Sequence, residues 1–403
     1  MVDSPLGGNS GFLTPTAPFR LIVTGGGTGG HTYPALTALR ALQVRLAPLG
    51  RSVDVLWVGT ANGLEARVAA SEGISFAEVA TGKIRRSKNP LKLVSPANVK
   101  DMTNVPRGVG QARGIVSGFR PDVVLATGGY VAVPVGLAAR LCRRPLVVHE
   151  QTVRLGLANK ALARAAVIVA VSSESTLPLL PEAARAHAVV TGNPVRPEVL
   201  AGQADNAVQA LSLTGFDRSL PTVYVTGGAQ GSAQINGTVG GILPWLLGHA
   251  NVIHQCGEAN VAAMRQTAAT LPAELAGRYH LTGFVGGELP DVLALADIVV
   301  SRSGAGTIAE LTALGKAGVF IPLASSAGNE QAHNARHLQE AGAAVALLDE
   351  VSPAVLRAAI EPLLNDRALR ESIAERARAH GRPDAADRLV DAVLSAAGQP
   401  SGR

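Results

Sequence analysis

Along most of its length this chain alternates short apolar runs with longer segments of helical period, and few folds accept that pattern. The runs fall at residues 20–24, 53–58, 123–126, 146–149, 167–171 and 188–191, then again at 222–226, 252–255, 280–284, 298–301, 319–322 and 344–348. Helical segments of about 10–15 residues separate most of them, which is the signature of strand–helix–strand units. Such repetition predicts an α/β protein with doubly wound parallel sheets, because each parallel connection needs a crossover whose helix covers a face of the sheet. Composition agrees where it matters: aromatics are 3% of the residues, while Ala, Val and Leu abound, and strands buried on both faces favour small, branched side chains.

One core does not organise 403 residues, so two domains are expected. The first series of runs ends at Gly192-Asn193-Pro194, and a polar stretch at 201–221 precedes a fresh opening strand. The two halves also echo each other, with Thr24-Gly25-Gly26 after the first opening run and Thr226-Gly227-Gly228 after the second. This predicts Rossmann-like domains at 19–195 and 196–380, facing each other across a cleft. Residues 1–18, rich in Gly, Ser, Thr and Pro, read as a disordered tail without the basic start and apolar run of a signal peptide. Pro383 and Asp384 open a last helical period within 381–403.

Charge is concentrated. The stretch from Thr81 to Arg120 holds nine basic residues against Asp101 alone, so the rest of a chain of net charge +6 is slightly acidic. Ile84, Leu91, Leu93, Val94 and Met102 interleave with the charges and Phe119 is the one aromatic. Single-stranded nucleic acid wants stacking platforms, which are missing, so an anionic membrane surface is the expected partner and nucleic acid is not. No uninterrupted apolar stretch of about 20 residues occurs; the nearest approach, 123–142, is broken by Gly128, Gly129, Pro134 and Arg140. Cys142 and Cys256 are the only cysteines, too few for a disulfide framework or a cysteine metal site, which suits a reducing compartment.

Gly25, Gly27 and Gly30 formally satisfy the dinucleotide fingerprint after a strand. That reading needs an acid at the end of the second strand to hold a ribose, but this strand ends Val58-Gly59-Thr60, with Asp54 at its beginning. An oxidoreductase is therefore disfavoured. The turn is closed by His31, whose imidazole suits general-base work near neutral pH. Further glycine turns follow later strands at Thr127-Gly128-Gly129-Tyr130, at Gly227-Gly228-Ala229-Gln230-Gly231 and at Ser303-Gly304-Ala305-Gly306-Thr307, and His149-Glu150-Gln151 ends another strand. Backbone N–H groups at the helix start near Thr307 suit a pyrophosphate, and Glu310 suits a ribose diol. No Asp-x-Asp pair is present to cradle a nucleotide-bound cation. His333 and His337 have helical i, i+4 spacing but no adjacent Glu or evident third ligand, so no metal and no cofactor is expected.

Taken in order, Gly26-Gly27-Thr28-Gly29-Gly30-His31, Gly128-Gly129-Tyr130, His149-Glu150-Gln151, Gly192-Asn193-Pro194-Val195-Arg196, Gly227-Gly228-Ala229-Gln230-Gly231 and Arg302 to Glu310 resemble the motifs of the MurG family, within glycosyltransferase family 28. Members convert lipid I to lipid II in peptidoglycan synthesis. The resemblance spans about residues 20–395. It implies a GT-B fold and inverting, metal-independent transfer of N-acetylglucosamine from UDP-N-acetylglucosamine to the C4 hydroxyl of N-acetylmuramic acid. It further implies a peripheral enzyme on the cytoplasmic face of the membrane, other cell-wall synthesis proteins as partners, and a last helix crossing back to the first domain. By the same resemblance His31 and Glu150 are catalytic. Thr28, Gly29, Gly30, Thr152, Arg196, Ala229, Gln230, Val285, Ala305, Gly306, Thr307, Glu310, Glu330 and Gln331 serve the donor, and Gly128, Gly129, Tyr130, His149 and Asn193 line the acceptor side. Thr152, Ala229 and Glu330 stand where the family usually has Asn, Ser and Gln. A related enzyme with another lipid or small-molecule acceptor, or a nucleotide-sugar-binding protein without turnover, are the alternative readings.

Overall fold

The structure, a computed structural model, describes residues 17–82 and 96–398. Residues 1–16 of the expected tail and Lys83, Arg85, Arg86, Lys88 and Lys92 of the basic stretch lie outside the described residues, as does the side chain of Lys100.

The first sheet comprises β1 (Phe19–Gly25), β2 (Val53–Gly59), β3 (Ser75–Glu78), β4 (Val123–Gly128), β5 (Leu146–Glu150), β6 (Ile168–Val171) and β7 (Ala188–Val190). Its strands are all parallel, in the order β3-β2-β1-β4-β5-β6-β7. The second comprises β8 (Thr222–Thr226), β9 (Asn251–Gln255), β10 (Tyr279–Thr282), β11 (Ile298–Ser301), β12 (Ala317–Phe320) and β13 (Ala344–Ala346), also all parallel, in the order β10-β9-β8-β11-β12-β13. Each sheet has a core on both faces: Leu21, Val23, Leu39 and Trp57 on one side of the first and Ile22, Val124, Val135 and Leu162 on the other. The central strands are buried along their whole length, which is why they read as continuous apolar runs.

This topology fixes where ligands bind. Strand order reverses between β1 and β4 in the first sheet and between β8 and β11 in the second, and such switch points open a crevice beyond the strand carboxyl ends. All four glycine turns stand at these two points.

The chain passes between the domains twice, after β7 and after the helix Arg367–His380. The helix Ala385–Gly398 then packs on the helix Gly29–Leu46, where Leu389, Val390, Val393 and Ala396 complete a cluster with Leu39, Leu42 and Leu46. Its polar side gives Asp387 and Asp391 to Arg45, at 2.8 and 3.0 Å.

Candidate active site

At the first switch point, β1 runs through Gly26, Gly27 and Thr28 into the helix Gly29–Leu46. Glu65, 1% exposed, holds this turn from behind. Its carboxylate accepts the N–H of Gly27 at 3.0 Å, the N–H of Thr60 at 3.1 Å and the Thr60 hydroxyl at 2.7 Å. Burial is the largest single influence on this carboxyl and pushes its pKa up, but the donors from Gly27 and Thr60 together outweigh it and leave the pKa lowered. A Cβ on Gly26 or Gly63 would lie 2.3 Å from the Glu65 carboxyl carbon, so these glycines make room for the carboxylate. Sequence reasoning missed Glu65 because it lies on a neighbouring helix, outside the recognisable motifs.

His31, in the first turn of that helix, is half-buried. The Thr127 hydroxyl donates to its carbonyl at 2.9 Å, and Gly128, at φ +110°, lies so close that a Cβ there would stand 3.0 Å from the imidazole. Its Nδ1 is 2.9 Å from Gln151 Oε1, Gln151 Nε2 is 3.0 Å from His149 Nδ1, and His149 Nε2 is 2.9 Å from the carbonyl of Gly192. His149 is fully buried, and burial pushes its pKa down to about 4. The structure thus joins the turn after β1, the end of β5 and the interdomain loop through side chains alone.

Glu150 is bound into its own loop. Its carboxylate, 2% exposed, accepts the N–H groups of Thr152 at 3.0 Å and Gly156 at 2.8 Å and the amide of Asn159 at 2.9 Å. The Thr152 hydroxyl adds a contact at 2.7 Å, shared with the carbonyl of Arg154 at 2.6 Å. Thr152 therefore faces the loop it stabilises. Gly129 packs against the carbonyl of Gly26, while Tyr130 is 43% exposed.

In the second domain, Gly228 donates its N–H to the Thr226 hydroxyl at 3.0 Å, and Ala229 and Gln230 lie exposed beside it. Arg302 ties this turn to the turn after β11. It donates to Ser232 Oγ at 2.8 Å, to Gln234 Oε1 at 2.9 Å and to the carbonyls of Ile321 and Pro322 at 2.9 and 3.0 Å. The helix Ala305–Leu314 opens with Gly304, and the N–H groups of Ala305, Gly306 and Thr307 precede the first intrahelical bond, from Ile308 to Gly304. Such donors at a helix N-terminus have the chemistry to receive an anion. Arg196 and Glu310 meet each other, both Arg196 Nε and Nη2 donating to one carboxylate oxygen at 3.0 and 2.8 Å. Burial still raises the Glu310 pKa above the usual carboxylate range, against the pull of Arg196. Val285 is buried with its N–H on Gln255 Oε1 at 2.8 Å. Gln331 accepts from Leu323 N–H at 2.9 Å through its side chain and from Ser303 at 2.8 Å through its carbonyl, next to Glu330 at the head of the helix Glu330–Glu340. Among the described residues no group of three His, Cys, Asp or Glu side chains stands ready for a metal, at His333 and His337 or elsewhere.

A cavity of about 400 Å³ lies between the domains, lined by Gln151, Gly192 and Asn193 from one and Ala305, Ile308 and Asn334 from the other. Val153 N–H donates across it to Asn334 Oδ1 at 3.4 Å. Gln151, which contacts His31, and Ala305, at the start of the helix Ala305–Leu314, therefore line one cavity. Asn193 is 6% exposed, yet neither atom of its amide meets a partner among the described residues.

Two doubly wound domains facing each other across paired switch points have the GT-B architecture. Residues 21–171 match the model described as the glycosyltransferase family 28 N-terminal domain and residues 222–389 its C-terminal domain; the chain belongs to glycosyltransferase family 28. It is 35% identical to the UDP-N-acetylglucosamine--N-acetylmuramyl-(pentapeptide) pyrophosphoryl-undecaprenol N-acetylglucosamine transferase of Listeria monocytogenes serovar 1/2a, over 93% of this chain and 99% of the relative. The enzyme of the same name from Moorella thermoacetica is 37% identical, over 93% and 98%. The crystal structure of Acinetobacter baumannii MurG superposes with a TM-score of 0.73 at 28% identity, covering 94% of this chain and all of that one.

Proposed function

We propose that this chain transfers N-acetylglucosamine from UDP-N-acetylglucosamine to the C4 hydroxyl of the N-acetylmuramyl unit of lipid I, giving lipid II. The observation that carries the reading is the interdomain cavity, which Gln151, hydrogen-bonded to His31, lines from one wall and Ala305, first residue of the helix Ala305–Leu314, from the other. In a single displacement the acceptor oxygen attacks the anomeric carbon, the bond from that carbon to the diphosphate breaks, and the configuration inverts. His31 takes the hydroxyl proton. The charge arriving on the diphosphate falls on the N–H groups of Ala305, Gly306 and Thr307 and the turn around Gly228, so fixed dipoles do the work a cation does elsewhere. Glu150 and Thr152 shape the acceptor loop, and the unpaired amide of Asn193 is ready for a substrate polar group. Arg196 and Glu310 part to receive the nucleoside.

No described helix is long and apolar enough to cross a membrane. Docking on the anionic cytoplasmic leaflet through the basic stretch, including Arg107, Arg113 and Arg120, suits a lipid-borne acceptor; further cell-wall proteins are expected partners there. Labelled UDP-N-acetylglucosamine and a lipid I analogue, incubated with the protein and EDTA, should yield a β-linked lipid disaccharide. No product, or product only after a divalent cation is restored, would refute the proposed metal-free transfer.

A further inference from the structure

His31 reaches, through two side chains, a backbone carbonyl in the interdomain loop, and that carbonyl decides every proton in between. A carbonyl only accepts, so His149 Nε2, 2.9 Å from Gly192 O, carries a hydrogen. His149 is neutral in its buried site, which leaves Nδ1 as a lone pair. Gln151 must then turn its NH₂ toward His149, and it does so twice over, with Nε2 3.0 Å from that Nδ1 and 2.9 Å from the His149 carbonyl. The flipped amide would place an oxygen against that carbonyl oxygen, which is repulsive. Gln151 Oε1 thus faces His31, 2.9 Å from its Nδ1, and an amide oxygen needs a donor there. With Nδ1 protonated, the neutral imidazole has its lone pair on Nε2.

We infer that Gln151 and His149 are positioning residues that lock His31 in the Nδ1–H tautomer and make Nε2 the atom that receives the acceptor proton. The inference rests on the proposed role of His31 as base. The arrangement costs nothing at the moment of reaction: when Nε2 takes the proton, the Nδ1–H is already on an amide oxygen, and no proton need move along the relay. It also ties the base to the hinge. Gly192 stands at φ +85°, where a Cβ would lie 2.6 Å from Arg382 Cβ and 2.9 Å from Ala385 Cβ, so the anchoring carbonyl sits where both interdomain crossings touch. Of the ionisable groups on neighbouring elements, His149 faces His31 from β5, Glu150 on the same strand is bound into its own loop, and Glu65 is spent on the glycine turn.

The test uses the full-length protein with ¹⁵N-labelled histidine. In the wild type, His31 should show the shifts of an Nδ1–H, Nε2-lone-pair imidazole; an Nε2–H tautomer overturns the inference whatever the variants do. Gln151→Leu should lower kcat about 10- to 100-fold with little change in KM. Gln151→Glu keeps the acceptor facing His31 but sets its other oxygen against the His149 carbonyl and Nδ1, so it should stay well below the wild-type rate. The acidic limb of its kcat/KM profile should move to higher pH, because a carboxylate beside Nδ1 favours the imidazolium. An unchanged kcat in Gln151→Leu, or a loss through KM alone, overturns it too. His31→Ala with full activity would instead defeat the base assignment, and the tautomer measurement would still judge the relay, so the two failures are distinct.

Discussion

Glu65 and Gly128 show how much of the site is set by single residues that shape the surroundings of His31. Replacing Glu65 with Ala removes the acceptor of the part-buried N–H groups of Gly27 and Thr60, a loss of about 1 kcal/mol. Glu65→Gln keeps the volume but turns an NH₂ against one of these donors, so it should fall between Ala and wild type in urea denaturation and lower kcat as the turn loosens. A Glu65→Ala protein as stable as wild type would show that the turn holds itself. Gly128→Ala combines a left-handed backbone with a methyl group 3.0 Å from the His31 ring. A displaced base loses rate on the order of 10²-fold, while UDP binding, on the other wall, should be unchanged by calorimetry. These two residues also mark what the sequence could and could not reveal. Glycines after a strand announce a turn, so Gly128 was legible. Glu65 was not, because nothing local distinguishes a helix carboxylate that points into a turn some forty residues earlier. Glu150 was legible as part of a motif, but not its bonds to Thr152, Gly156 and Asn159, since a motif places a residue without saying what its side chain touches.

The elements were easier to read than their contacts. Runs expected at 222–226 and 298–301 match β8 and β11 residue for residue, because strands buried on both faces must be apolar throughout. Edges blur: β10 begins at Tyr279 and stops at Thr282, short of the expected Phe284, and β12 ends at Phe320 rather than Pro322. β3 went unread altogether; it is a partly exposed edge strand, Ser75–Glu78, without an apolar run. The last helix was visible by its start signals, whereas its crossing back to the first domain was expected from the family resemblance and not from its own residues. That packing sets up a comparison of two kinds of contact. Leu389, wholly buried against the helix Gly29–Leu46, should cost about 2–5 kcal/mol when cut to Ala. The exposed Arg45 pairs with Asp387 and Asp391 are screened by solvent, and Arg45→Ala should shift the denaturation midpoint within measurement error. Equal losses from the two variants would contradict an apolar seam as the clasp between the chain's two ends.

Taken whole, the molecule places one buried neutral histidine in each domain, and this makes its stability a function of pH. His149 in the first and His254 in the second are both pushed by burial from 6.5 down to about 4. His254 is held between Tyr279 OH at 2.9 Å and Asn236 Oδ1 at 3.1 Å, a site with no room for a solvated charge. In the unfolded chain these rings protonate near their ordinary value, whereas in the folded one they resist until about pH 4. Between those values the unfolded state binds more protons, so folding stability is full above about pH 6.5 and is lost as pH falls toward 4. Each ring contributes on the order of 3 kcal/mol across that window. His280, His333 and His337, also lowered chiefly by burial, act in the same direction. Glu310, whose pKa burial raises, opposes them as pH falls toward its ordinary value of 4.5. Urea midpoints should therefore drop steeply from pH 7 to pH 5, where carboxylate titration has scarcely begun. With one such ring per domain, both domains should weaken together, followed by Trp57 fluorescence for the first and Trp245 for the second. His149→Gln should flatten the dependence reported by Trp57 and leave that of Trp245 in place. Midpoints that stay level across this range would mean the two histidines accept protons within the fold, and the relay that depends on a neutral His149 would lose its anchor with them.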